Sequence, residues 1–339
     1  MWRMSDRHEA LLWPEPGPAT ARAVYISIKN RLARRFFAAP WLHSRLAIVA
    51  ADHFLGITSD DGIEPRGARL VLTGPPGSGK TTAARAIAES LGLAFSGVWD
   101  CTGIVQQGYK GTDVQALMRQ FHINNKSDFT ATEHAVICVD ELDKIAVRTT
   151  SDAVDSSVRI GQQQSLLPLF SGDGEMRFSA DAASHQGEIV VRTRSMLVIG
   201  CGVFENLPSD STTDDYVQHG LMRELAERIT LRIALPGASP SVLVEVYRER
   251  AEELRVRFRR FGWDLEIPDE TLRLLARVVA SGSAASGSRA GAAWLEDAAQ
   301  RRLCELLEGG AAEHTRVTLG PDDIDGAWRA RRRQRRSTP

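Results

Sequence analysis

The sequence lacks a large excess of charge of either sign: 42 lysines and arginines face 43 aspartates and glutamates, for a net charge of −1. It also lacks long apolar runs. None approaches the ~18 residues that a membrane-spanning helix needs, and the opening residues Met1–Glu9 hold no apolar stretch of signal-peptide type. Cysteine is scarce: Cys101, Cys138, Cys201 and Cys304 stand far apart, with no Cys-x-x-Cys spacing. That argues against a zinc ribbon and a disulfide framework, and it favours a reducing, cytoplasmic setting. Lysine is nearly absent too, with only Lys29, Lys80, Lys110, Lys126 and Lys144. This bias fits genomic base composition.

What is present is an ordinary globular balance, 25% charged and 43% hydrophobic. Its length suggests about two domains at ~150 residues each. The near-zero charge hides an asymmetry. Residues 329–336 carry six arginines, so the rest of the chain sums to −7. A uniformly basic protein that coats nucleic acid is disfavoured; a basic tail on an acidic body remains.

Residues 1–20 are Pro-rich (Pro14, Pro16, Pro18) and read as an irregular lead-in. Residues 21–54 carry apolar residues at helical spacing, with a break near Pro40. Arg69–Thr73 reads as a short buried strand, and Thr82–Leu91 as a helix closed by Gly92. Further strands are expected at Ala135–Val139 and Met196–Ile199, with helices at 112–122 and 155–170. Strands alternating with helices imply a parallel, doubly wound α/β sheet. After Pro236 the pattern turns helical, with segments at 240–260, 268–280 and 288–308. The expected division is therefore a lead-in (1–20), an α/β domain (21–236), a helical domain (237–328) and a basic tail (329–339).

Between the first strand and its helix stands Gly74-Pro75-Pro76-Gly77-Ser78-Gly79-Lys80-Thr81, followed by Thr82. Glycines free the backbone N–H groups to curl around phosphate oxygens, and the next helix turns its positive end to the same anion. Lys80 would reach the β- and γ-phosphates of a nucleotide, and the Thr81 hydroxyl would hold Mg²⁺. Sixty residues on, the apolar run Ala135–Val139 ends in Asp140-Glu141. Acids at the carboxyl end of a parallel strand lie where such sheets bind ligands. Asp140 would hold Mg²⁺, and Glu141 would orient or deprotonate an attacking water.

Gly74–Thr81 together with Asp140-Glu141-Leu142-Asp143-Lys144-Ile145-Ala146 resembles the AAA+ ATPases, most closely the ClpX/HslU branch of protein unfoldases. Gly161–Gly172 and Val198–Phe204 are similar to the ClpX helix after the acid pair and to its next core strand. The resemblance implies an AAA+ P-loop α/β domain followed by a small helical lid, with ATP and Mg²⁺ bound in a ring that is usually hexameric. It places Arg228, at the end of His219–Ile229, as an arginine finger given to a neighbouring subunit, with Arg223 as the fallback. A guanidinium is always charged and offers several donors to a developing phosphoryl charge. Gly287-Ser288-Arg289 is similar to the second sensor of the lid, which implies that Arg289 reaches the γ-phosphate. No Asn or Thr ends the first-sensor strand, so no residue is nominated there. Gly108-Tyr109-Lys110-Gly111 looks like the ClpX pore loop, in which Tyr109 would grip a polypeptide and Lys110 takes an apolar residue's place. Glu175–Val191 reads as a hairpin that would also face the channel.

Two features of ClpX have no counterpart in the sequence: its cysteine-rich zinc module, and the Ile-Gly-Phe loop that docks on ClpP. The expectation is an ATP-driven ring, a homo-hexamer, that remodels a polypeptide partner without ClpP. The alternatives are a DNA-acting AAA+ motor or loader, for which the arginine tail and Lys110 speak, and a nucleotide-gated assembly scaffold.

Overall fold

In the computed structural model, which describes residues 18–59, 62–104, 113–147, 153–179, 187–283, 287–312 and 314–323, the chain divides into two compact units. The first takes residues up to Gly74 and Gly79–Leu235; the second takes Pro75–Ser78 and Pro236 onward.

The first unit opens with helices α1 (Pro18–Arg35) and α2 (Pro40–Thr58), the second starting on a proline that suits a first helical turn. Then follow β1 (Arg69–Thr73), α3 (Lys80–Leu91), β2 (Phe95–Asp100), α4 (Val114–Asn124), α5 (Phe129–Glu133) and β3 (Val136–Asp140). The long helix α6 (Ala153–Phe170) leads to a hairpin, β4 (Glu175–Ser179) and β5 (Glu188–Arg192), and then to β6 (Leu197–Gly202). Two short helices, α7 (Thr213–Gln218) and α8 (Arg223–Glu227), precede β7 (Leu231–Ala234).

Five strands form one all-parallel sheet in the order β2-β3-β6-β1-β7. Such a sheet is covered on both faces, so its central strands are apolar throughout: every residue of β1 and β6 is buried. The period of two still sorts them. Leu70, Leu72, Cys138, Ile199 and Cys201 face one core, packed by Ile28, Leu32, Leu46 and Ile87 of α1 to α3. Val71, Ile137, Val139 and Val198 face the other, against Met118, Leu166, Phe170 and Leu225.

The expected strands shift by a residue or more: Ala135–Val139 becomes Val136–Asp140, and Met196–Ile199 becomes Leu197–Gly202. The helix expected from Thr82 starts at Lys80, because Gly79 itself serves as the N-cap. The helix expected over 268–280 ends at Val278 and passes into a π turn. β2 and β7 were not expected. β2 contains Ser96 and Gly97 and a register shift between Phe95 and Val98, which break the apolar alternation.

Arg69 fastens the amino end of the sheet. Although only 2% exposed, its guanidinium donates to the carbonyls of Gly67 (2.5 Å), Met196 (2.8 Å), Thr193 (2.6 Å) and Arg194 (3.3 Å). Burial holds its pKa down to about 10, so it stays cationic at neutral pH.

The second unit is built on α9 (Pro240–Arg259), β8 (Asp264–Glu266), α10 (Asp269–Val278), α11 (Ser288–Glu308) and β9 (Arg316–Thr318), with β8 and β9 paired in parallel. Tyr247, Leu254, Phe258, Leu275 and Leu295 are among its buried residues. Gly291 lets α11 come close to α9: a Cβ there would stand 2.1 Å from Tyr247 Oη. Among the described residues, no helix is long and apolar enough to cross a membrane.

Candidate nucleotide site

The registers bring the two sequence motifs to one level. Val139 pairs with Gly200, and Gly200 with Val71, so Asp140 ends β3 near the level at which β1 runs into the Gly74 loop, with β6 between the two strands. Across that gap the Thr81 hydroxyl donates to Asp140 Oδ2 at 2.8 Å. The other oxygen of the same carboxylate, Oδ1, accepts the Glu141 N–H at 2.8 Å. Asp140 is thereby aimed at α3, and Glu141 is turned out into solvent with a left-handed backbone, φ 59°. That conformation costs a non-glycine residue about 1 kcal/mol. It separates the roles of two adjacent acids. Asp143, on the following turn, accepts the Val203 N–H at 2.9 Å and so ties this turn to the end of β6.

The loop has the backbone that its glycines suggested, with φ of 144° at Gly74, 73° at Gly77 and 89° at Gly79. A Cβ at Gly79 would stand 2.7 Å from the ring of Phe36, the residue after α1. The first turn of α3 has no side-chain cap, which leaves its N–H groups for an anion. Lys80 is only 8% exposed, and its ammonium donates to the Gly74 carbonyl at 2.8 Å. The Ser78 hydroxyl is buried, with no hydrogen-bond partner among the described residues. An orphaned donor, an uncapped helix end and a lysine turned onto its own loop fit a phosphate group.

The metal can be tested in the same way. Among the described residues there is no group of three or more His, Cys, Asp or Glu that could hold an ion. Thr81 and Asp140 are hard oxygen donors, two in number. That suits Mg²⁺, which binds through one or two protein groups together with phosphates and water.

Residues 70–203 match the family "ATPase family associated with various cellular activities (AAA)". Those residues form an AAA domain. Similar proteins include the ATP-dependent Clp protease ATP-binding subunit ClpX of Porphyromonas gingivalis, 28% identical over 194 residues, which are 56% of this chain and 44% of that one. The ClpX of Azotobacter vinelandii is 30% identical over 174 residues, 48% of this chain and 39% of its own. That of Treponema denticola is 23% identical over 272 residues, 68% and 65% respectively. The chain is thus similar to ClpX over and around its AAA domain, and it spans about two-fifths to two-thirds of the length of these relatives.

Beyond the AAA match, Arg228 follows α8 directly and pairs with Glu224 at 2.9 Å, leaving the guanidinium side chain 30% exposed. Arg223 pairs with Asp214 at 2.9 Å and is more exposed, at 59%. In the second unit, Arg289 is an exposed residue of the first turn of α11. Next to it, Ser288 Oγ donates to the Gly77 carbonyl at 2.9 Å, Gly77 being grouped with that unit. Tyr109 and Lys110 lie outside the described residues, as do the tip of the β4–β5 hairpin and the arginine tail.

Three side chains near the site were missed at the level of sequence: Phe36, Gln162 and Gln163. The two amides are buried and donate to backbone carbonyls, Gln162 to Ile104 at 2.9 Å and Gln163 to Ile145 at 2.8 Å. The signal was their spacing from the apolar residue Leu166, four and three positions on, which is about one helical turn.

Proposed function

We propose that this protein hydrolyses ATP in a ring of identical copies and uses the cycle to pull on a polypeptide partner, without ClpP. The observation that carries the reading is the Thr81–Asp140 hydrogen bond, which joins the phosphate loop to the acid pair. In this reading Gly74, Pro75, Pro76, Gly77, Ser78, Gly79 and Thr82 wrap the phosphates with backbone N–H groups where the residue has one. Lys80 leaves the Gly74 carbonyl for the β- and γ-phosphate oxygens. Thr81 and Asp140 would hold Mg²⁺, which would supply positive charge beside the phosphates. Glu141 orients the attacking water and accepts its proton.

Arg228 leaves Glu224 to serve the site of a neighbouring copy, and Arg289 reads the γ-phosphate from the lid. Tyr109 and Lys110 meet the polypeptide in the channel. The relatives' name, ATP-binding subunit of a Clp protease, supports the ATPase part of the reading. Freedom from ClpP rests on the lack of an Ile-Gly-Phe tripeptide anywhere in the sequence.

The test is turnover of ATP with Mg²⁺ in the presence of an unfolded polypeptide or of DNA. Stimulation by polypeptide alone is expected. Stimulation by DNA alone would replace this reading with the second one, a DNA-acting motor, which the six arginines at 329–336 favour.

A further inference from the structure

Between the acid pair and the proposed finger lies one buried amide. Gln163, in the middle of α6, has no exposed surface. Its Nε2 donates to the Ile145 carbonyl at 2.8 Å and to the Gly220 carbonyl at 3.2 Å, while Oε1 accepts the Met222 N–H at 2.6 Å. All three bonds go to the backbone of two segments. One is the turn that Asp140 and Glu141 open and Ile145 closes. The other is Gly220–Met222, the entry to α8.

A second link runs beside the first. The Val147 N–H donates to the Gly220 carbonyl at 2.8 Å. Gly220 has φ 95°, and a Cβ there would stand 2.1 Å from the Val147 carbonyl oxygen. Only glycine lets the two segments come this close. α8 itself is five residues long, and its N-cap, Met222, offers no side-chain cap. The placement of so short a helix is therefore decided by what holds Met222, and Arg228 follows its last residue. An amide suits the task because it presents donors and an acceptor from one end. A leucine would remove the side-chain partner of the Ile145 carbonyl and of the Met222 N–H, while Gly220 would keep only the Val147 N–H, and a carboxylate would face two carbonyl oxygens.

We infer that Gln163 is a positioning residue: it fixes α8, and with it Arg228, to the turn that carries the acid pair. The finger lent to a neighbour then moves with the lender's own acids. This rests on the proposed role of Arg228 toward a neighbouring copy.

The test mixes full-length variants. Gln163→Leu alone should assemble, bind ATP with a KM within about threefold of the parent and lose about tenfold or more in kcat. Adding excess Lys80→Ala protein, whose own site is dead but whose Arg228 is well placed, should raise turnover per Gln163→Leu chain at least about threefold. Adding Arg228→Ala protein should not. Gln163→Glu keeps the acceptor for Met222 but sets a carboxylate oxygen against the Ile145 and Gly220 carbonyls, and it should show the same rescue. A mixture of Arg228→Ala and Lys80→Ala is the control for the finger itself. If that control recovers activity but neither Gln163 variant gains from Lys80→Ala, the inference is overturned and the finger stands. If the control fails, the finger reading falls and this inference falls with it.

Discussion

Thr81 and Asp140 are 59 positions apart in sequence, and the hydroxyl of one donates to the carboxylate of the other at 2.8 Å. The bond uses one carboxylate oxygen, while the other holds the Glu141 N–H. One aspartate thus aims at the phosphate loop and sets the backbone of the acid beside it.

The two acids should separate on substitution. Glu141→Gln is expected to keep nucleotide affinity and lose about 10²- to 10³-fold in kcat, since a positioned base contributes on that scale. Asp140→Asn should weaken Mg²⁺-dependent binding as well. Equilibrium binding of a fluorescent ATP analogue, beside phosphate release, checks both. Normal turnover in Glu141→Gln would remove it from the role of base.

Gly79→Ala should destabilise the first unit by about 1–3 kcal/mol, from a left-handed backbone and from overpacking against Phe36. Combined with Phe36→Leu, which removes the ring, the loss should be smaller than the sum of the two single losses. Urea midpoints measure this, and strict additivity would show that the ring is not the obstacle.

Acidification should weaken the fold through His53. This residue of α2 is 4% exposed, and burial holds its pKa down to about 4 even though it bonds the His134 carbonyl. Because the folded value lies below the unfolded one, the unfolded chain takes up the proton first. Stability is thus intact above about pH 6.5 and is lost as pH falls toward 4, by about 3 kcal/mol in the limit. Burial lowers His122 and His134 in the same direction. His53→Gln should flatten the profile of urea midpoint between pH 7 and pH 4; an unchanged slope would acquit His53.

Of the four thiols, only Cys304 is exposed. Burial pushes the Cys101 thiol well up, and a hydrogen bond with Cys138, then burial, does so for Cys201. A chromogenic disulfide reagent should therefore modify one thiol per native chain, with the other three reacting only after unfolding. Cys304→Ser should abolish the native signal.

The phosphate loop and the acid pair could be read from sequence because each is a contiguous run whose residue types follow from its task. The central strands were legible for a similar reason, since a strand buried on both faces must be apolar throughout. Edge strands escaped: β7 has four residues, one of them Arg232, and β2 is interrupted at Gly97. Gln163 escaped because a run of glutamines has the appearance of a solvent-facing surface. Its meaning depends on Ile145, Gly220 and Met222, which reach it only through the fold. Phe36 was hidden likewise, being 43 residues from the glycine that it crowds.

Arg69 gives the sheet a division of labour. Its guanidinium closes the end of the sheet opposite the nucleotide loop, and it does so with carbonyl oxygens rather than a carboxylate. Added salt should therefore loosen the neighbouring ion pairs of Arg194 with Glu64 and Asp173 sooner than the Arg69 bonds themselves, which keep that pole of the sheet closed without a carboxylate partner.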